Sequence, residues 1–308
     1  MIYLEMQNKR IIWIDIAKGI AIMLVVVGHA AVSHSLANFI FAFHMPLFFI
    51  ASGLTTNWNK HNIKDFCLHK IRYLLLPFAL YSVLVLTIKL IILGDCDMKA
   101  WLLMGWQGYA LWFVPVLFLS LILARMIASV HNKVYVIVIA ILMAMMGGIL
   151  NHYGVLLPWT LSTIPYATFL TIMGFIAKPY VQKFKPRYVM LMLCICLTIA
   201  SSHYFRLDMA WNKIMPLVPI TIGAISGTLM VFCLSYYISK HTKLISQIFQ
   251  KLGRETFAIM SFSQITIVVI NQYLSVNFVV KYTLMTLVMA IFVYLKNCLN
   301  RLCGSKIL

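Results

Sequence analysis

Acidic side chains are nearly missing from this sequence: 7 Asp and Glu occur among 308 residues, and charged residues of both signs make up only 10% of the chain. An ordinary soluble domain carries roughly 25% charged residues. With 63% of the residues hydrophobic, the shortage excludes a fold whose outer surface is covered by water. Alternation is missing as well. A strand of an outer-membrane barrel interleaves apolar and polar positions over about ten residues, and runs such as YLLLPFALYSVLVLTIKLIILG (73–94) do not. Cysteine is scarce where an oxidising compartment would use it. Of 7 cysteines, only Cys96 falls in a loop expected outside, with Cys67, Cys298 and Cys303 inside and Cys194, Cys196 and Cys233 within spans. No external disulfide is therefore expected within one chain. Cys194 and Cys196, two residues apart, point in different directions on a helix and read as small packing residues. No repeat of fixed period, low-complexity tract or soluble domain interrupts the pattern.

What is present instead is a succession of apolar runs of about 20 residues, each long enough to cross a hydrocarbon core as an α-helix. The chain reads as a single all-α integral membrane domain over 1–308. Ten spans are expected: 11–33, 36–54, 73–94, 111–130, 134–150, 164–180, 188–205, 217–238, 256–274 and 278–295. The 25 Lys and Arg give a formal net charge of +18, a balance that in a soluble protein would suggest nucleic acid. Here the lipid bilayer accounts for it, and no nucleic-acid partner is implied. With the N-terminus placed in the cytoplasm, nineteen of the basic residues fall in inner segments, four (Lys99, Arg206, Lys213 and Lys281) in outer ones, and two, Lys18 and Lys89, within spans. Such asymmetry puts both termini on the cytoplasmic side. The basic start followed by an apolar run is read as a retained first helix, because Asp15 and Lys18 interrupt the core that a cleaved signal would need.

The segment DIAKGIAIMLVVVGH (15–29) carries an acid, a base and an imidazole within an otherwise apolar run. Eleven steps at about 100° bring Lys18 and His29 to one helix face, about 16 Å apart along the axis, and Asp15 lies about 60° to one side. An imidazole on a spanning helix is costly to leave unpaired and faces protein or a wet cavity. Lys18 could instead snorkel to the inner headgroups. The next span, LANFIFAFHMPLFFIASGL (36–54), follows a connection too short to let it leave the first, so the two pack as an antiparallel pair that brings His44 to a depth close to that of His29. Pro46 predicts a kink beside His44, and hence a cavity.

The strings WIDIAKGIAIMLVVVGH and FAFHMPLFFIASGL strongly resemble the opening of membrane-bound acyltransferase family 3, whose first helix carries a basic residue, ten intervening positions and a histidine. HKIRYLLLPF (69–78) is similar to the basic segment of the family's third helix, LWFVPVLFLSLIL (111–123) to its Leu-Trp-Phe motif, and LGRETFAIMSFSQ (252–264) to a late Gly-Lys-x-Ser type motif. Two positions depart from the pattern: Lys18 stands where Arg is usual, which removes a bidentate fork, and Ser263 stands where His is frequent.

The resemblance implies an O-acyltransferase of the bacterial inner membrane that moves an acyl group, here expected to be acetyl, from cytoplasmic acetyl-CoA to a hydroxyl of an extracytoplasmic or lipid-linked glycan, with no metal. Such chemistry needs a base for the hydroxyl, a stabiliser for the oxyanion and a site that holds the thioester. His29 is the expected base. His44 is expected as its partner or as the oxyanion donor, and Asp15 as a carboxylate that orients Lys18 or contacts the adenine end of the donor. Lys18, Lys70 and Arg72 are the expected cations for the phosphates of acyl-CoA, although basic residues before a span are also what topology alone demands. Trp112 is the candidate saccharide platform; it and Trp101, Trp106 and Trp159 also suit interface anchors. Competing readings are a flippase, exporter or proton-coupled transporter, or a non-catalytic partner of a polysaccharide synthase.

Overall fold

The computed structural model describes residues 11–29, 32–58, 62–94, 99, 102, 110–274 and 278–302. It is helical throughout; the one bridge pair among the described residues joins Asp208 to Lys213 in a loop. The helices are α1 (Ile12–His29), α2 (His34–Phe41), α3 (His44–Thr55), α4 (Ile63–Lys70), α5 (Leu76–Ile88), α6 (Phe113–Ala128), α7 (Lys133–His152), α8 (Ile164–Ala177), α9 (Tyr188–Tyr204), α10 (Leu217–His241), α11 (Lys243–Arg254), α12 (Thr256–Tyr273) and α13 (Phe278–Leu302). Eight segments are long and apolar enough to cross a membrane. Shorter α9 and the more polar α12 bring the number of plausible spans to ten.

Several boundaries differ from those the apolar runs predict, each for a local reason. The first helix, described as far as His29, does not extend to 33: Ser33 instead caps α2 by accepting the Leu36 N–H at 3.4 Å. The third span begins at Ile63, where Asn62 accepts the Asp65 N–H at 2.8 Å, so Lys70 and Arg72 are helical. Helix α4 continues into α5 through one wide π turn, Ile71–Leu75. Pro77 follows at once; its ring would crowd the carbonyl four residues back, and a widened turn relieves that crowding. The largest difference is α11, expected as an inner loop. Leu244, Ile248, Leu252, Ile245 and Phe249 fall in one sector of about 140° at helical spacing, and the segment folds as an amphipathic helix packed along α1.

Helices α1, α3, α8 and α10 form the centre of the bundle, with α9 on α10, and α12 joining α1 to α13. Two crossings are closed by glycine. A Cβ on Gly53 would lie 2.1 Å from the Thr171 carbonyl oxygen, and one on Gly174 2.1 Å from that of Ile50. Likewise Gly253 of α11 faces Gly19 of α1. A Cβ on the first would sit 1.8 Å from the Asp15 oxygen, and on the second 2.0 Å from that of Phe249. Close backbone approach at small residues is how helices associate where lipid supplies no hydrophobic drive.

Candidate functional site

The second span is interrupted at 42–43, immediately before His44, as the kink expected beside that residue requires, and so divides into α2 and α3. Pro46 falls in the first turn of α3, where a missing N–H costs nothing. His44 opens that turn, is 3% exposed, and its Nδ1 lies 2.9 Å from the Ile40 carbonyl oxygen at the end of α2. Because a carbonyl only accepts, Nδ1 carries the proton, and in the neutral ring Nε2 keeps its lone pair.

His29, the last residue of α1, is half-buried. Its ring meets that of Phe41 edge-on at 5.6 Å, and Phe41 meets His44 in the same way at 4.9 Å. Phe41 thus stands against both imidazoles. Arg206, on the loop after α9, holds its guanidinium 5.1 Å from the centre of the Phe41 ring. Asp208 follows on that loop; burial pushes its carboxyl above the usual range, opposed by Arg206 and by the backbone N–H groups of Trp211 and Ala210. Arg206 and Asp208 join the histidine end of the bundle through tertiary folding alone, since a cation in a loop carries no distinguishing signal in a sequence.

At the opposite end, Lys18 lines a cavity of about 960 Å³ bounded by α1, α3, α5, α6, α11, α12 and α13. Among the described residues four cations line it, Lys18, Lys251, Arg254 and Lys296, against one carboxylate, Glu255, which is ion-paired to Lys296 Nζ. Tyr73 and Leu74 of the π turn form part of the wall. Phe48, Phe113 and Met260 add an aromatic and thioether stretch of wall, with the rings of Phe48 and Phe113 5.7 Å apart. Ser52, Phe48 and His44 are spaced four apart on α3 and share a face, so Phe48 stands one turn, about 6 Å, from His44.

The cavity therefore runs along α3 as far as Phe48, and His44, one turn beyond, lies outside its wall. The sequence pattern places it on the α1 face between Lys18 and His29, but Ile22 and Val25, on that same stripe, are 0% and 1% exposed and lie outside the cavity wall. Neighbouring side chains close that face. Of the other singled-out residues, Lys70 sits 5.3 Å from the centre of the Phe66 ring and Arg72 is exposed on the π turn; neither lines the cavity. Asp15 is buried at the α1–α11 crossing and also lies outside the wall. Trp112 is buried, edge-on to Phe113, beside Ala110, whose N–H donates to Gln264 Oε1 of α12 at 2.5 Å. Trp159 is partly buried and its indole N–H donates to the Leu102 carbonyl at 3.1 Å. Trp101, Trp106 and Cys96 lie outside the described residues. Lys251, Arg254 and Lys296 are counted in the sequence only as inner topology charges, and it is the amphipathic spacing of 243–254 that could have marked the first two as part of a structured wall.

No curated protein and no solved structure matches this chain. The bundle of membrane-spanning helices holds a cationic cavity around Lys18 and, at the other end of α1, two imidazoles on either side of Phe41; the acyltransferase domain profile matches residues 11–298, so the chain belongs to acyltransferase family 3.

Proposed function

We propose that this membrane acyltransferase takes an acetyl group from acetyl-CoA entering at the Lys18 end from the cytoplasm, and passes it to a hydroxyl of an extracytoplasmic or lipid-linked glycan at the His29 end, in a bacterial inner membrane. The observation that carries the reading is the cavity itself, lined by the cations Lys18, Lys251, Arg254 and Lys296 and by the apolar Phe48, Phe113 and Met260, with Phe48 one helical turn from His44. Lys18, Lys251, Lys296 and Arg254 suit the phosphates of coenzyme A through charge-assisted hydrogen bonds, and Arg254 adds a planar fork. The apolar stretch of wall suits the thinner arm and its thioester.

Bonded to Ile40, His44 in its neutral form has no second N–H to offer an oxyanion. Its Nε2 lone pair suits it to accept an N–H from His29, which fixes the tautomer of His29 and leaves the other ring nitrogen as the base. The glycan oxygen bonds to the thioester carbonyl carbon as its proton passes to His29. Collapse of the tetrahedral intermediate breaks the C–S bond, and the imidazolium returns the proton to the departing thiolate. Inverted membrane vesicles given labelled acetyl-CoA test this reading. Label should reach glycan with release of free coenzyme A, and His29→Ala should lower transfer by about 10²–10⁴-fold while the protein stays folded in the membrane. Transfer at the wild-type rate by that variant would remove His29 from the mechanism, and glycan movement without coenzyme A release would favour a transporter.

A further inference from the structure

Tyr81 is a residue of α5 for which packing alone gives no reason. It is 3% exposed, with its ring 5.2 Å from that of Phe257 and 5.3 Å from that of Phe262, both on α12. Phe262 in turn stacks on Phe292 of α13 at 4.3 Å. Phenylalanine would fill this aromatic cage as well as tyrosine does. Yet the hydroxyl is there, and among the described residues it has no hydrogen-bond partner. A buried hydroxyl without a partner is a standing cost to the fold, which natural sequences seldom carry without use.

The same residue lines the cavity. Seven positions beyond Leu74 of the π turn, it stands about 10 Å further along the helix, between the cations of the mouth and the Phe48–Phe113 stretch. Around it the wall is apolar: Leu74, Pro77, Leu117, Phe257 and Met260. A ligand polar group reaching this depth would find few other donors. Coenzyme A has two amides on its arm, and their carbonyl oxygens are strong acceptors, whereas a phenol is a good donor.

We propose that the Tyr81 hydroxyl donates a hydrogen bond to an amide carbonyl of the donor's pantetheine arm and so sets the depth at which the thioester halts below His44. This rests on the coenzyme A reading above. Tyr81→Phe removes the oxygen and keeps the ring. Calorimetric titration of the full-length protein in nanodiscs with two probes, coenzyme A and adenosine 3′,5′-bisphosphate, separates the arm from the nucleotide. The expected result is coenzyme A binding weakened about tenfold, the loss of one buried hydrogen bond, with nucleotide binding unchanged. Unchanged coenzyme A affinity would overturn the proposal. Equal weakening or loss of both probes would also overturn it, since the residue would then be holding the mouth or the fold. Failure of the wild-type protein to bind either probe would instead strike the donor-site reading, and this proposal with it.

Discussion

At the scale of single residues, Pro46 settles the chemistry of His44 without touching a substrate. The proline cannot continue a helix from α2, the chain restarts at His44, and the Ile40 carbonyl at the break accepts a hydrogen bond from Nδ1–H. This separates a structural role from a chemical one. Asn in place of His44 can still donate to Ile40 but has nothing at the Nε2 position. His44→Asn should therefore melt within about 1 kcal/mol of wild type while losing on the order of 10²-fold or more in turnover, read by thermal unfolding and by label transfer on one preparation. A melting loss large enough to account for the lost turnover would make His44 a structural residue. Lys18, His29 and His44 are conspicuous in the sequence because an ionisable group in an apolar run is expensive and so informative. Lys251 and Arg254 are not, since bilayer topology already explains inner-loop cations, and nothing in the sequence around Arg206 ties that outer-loop cation to the histidines.

At the scale of elements, α11 is the part that hydropathy conceals. Its apolar residues are too few for a span, yet their spacing makes an amphipathic helix that lays Lys251 and Arg254 along the cavity. Gly253 and Gly19 set how closely it approaches α1. A methyl group at Gly253 would overlap the Asp15 carbonyl, which is backbone within a packed helix and cannot swing aside. Gly253→Ala should accordingly destabilise the protein by roughly 1–3 kcal/mol or more through overpacking and weaken coenzyme A binding as α11 is pushed outward. A wild-type melting temperature with wild-type affinity would show that the crossing does not position the cations. The third span teaches a related lesson. Hydropathy marks its apolar part from Tyr73, but the helix itself starts at Asn62's cap and absorbs Pro77 with a π turn, a backbone response that composition does not encode.

At the scale of the whole molecule, the cavity opens at the Lys18 end, beside the last described turn of α13, and Cys298 lies in its wall as a free thiol. If the basic end faces the cytoplasm, a membrane-impermeant maleimide should label Cys298 in inverted vesicles and not in right-side-out ones, and coenzyme A should slow the labelling. Peptide mass spectrometry reads this directly. Labelling from the opposite face would reverse the orientation, and labelling indifferent to coenzyme A would detach the cavity from the donor. The membrane character of the chain and most of its helices follow from the sequence alone. So does the family resemblance of its first two helices, because hydropathy, charge and spacing are properties each segment carries with it. Where the passage runs was decided only in three dimensions. The α1 and α3 faces both offer a stripe from a polar group to a histidine, and which stripe stays open depends on side chains from distant helices. Those neighbours closed α1 over Ile22 and Val25 and left α3 open from Ser52 to Phe48.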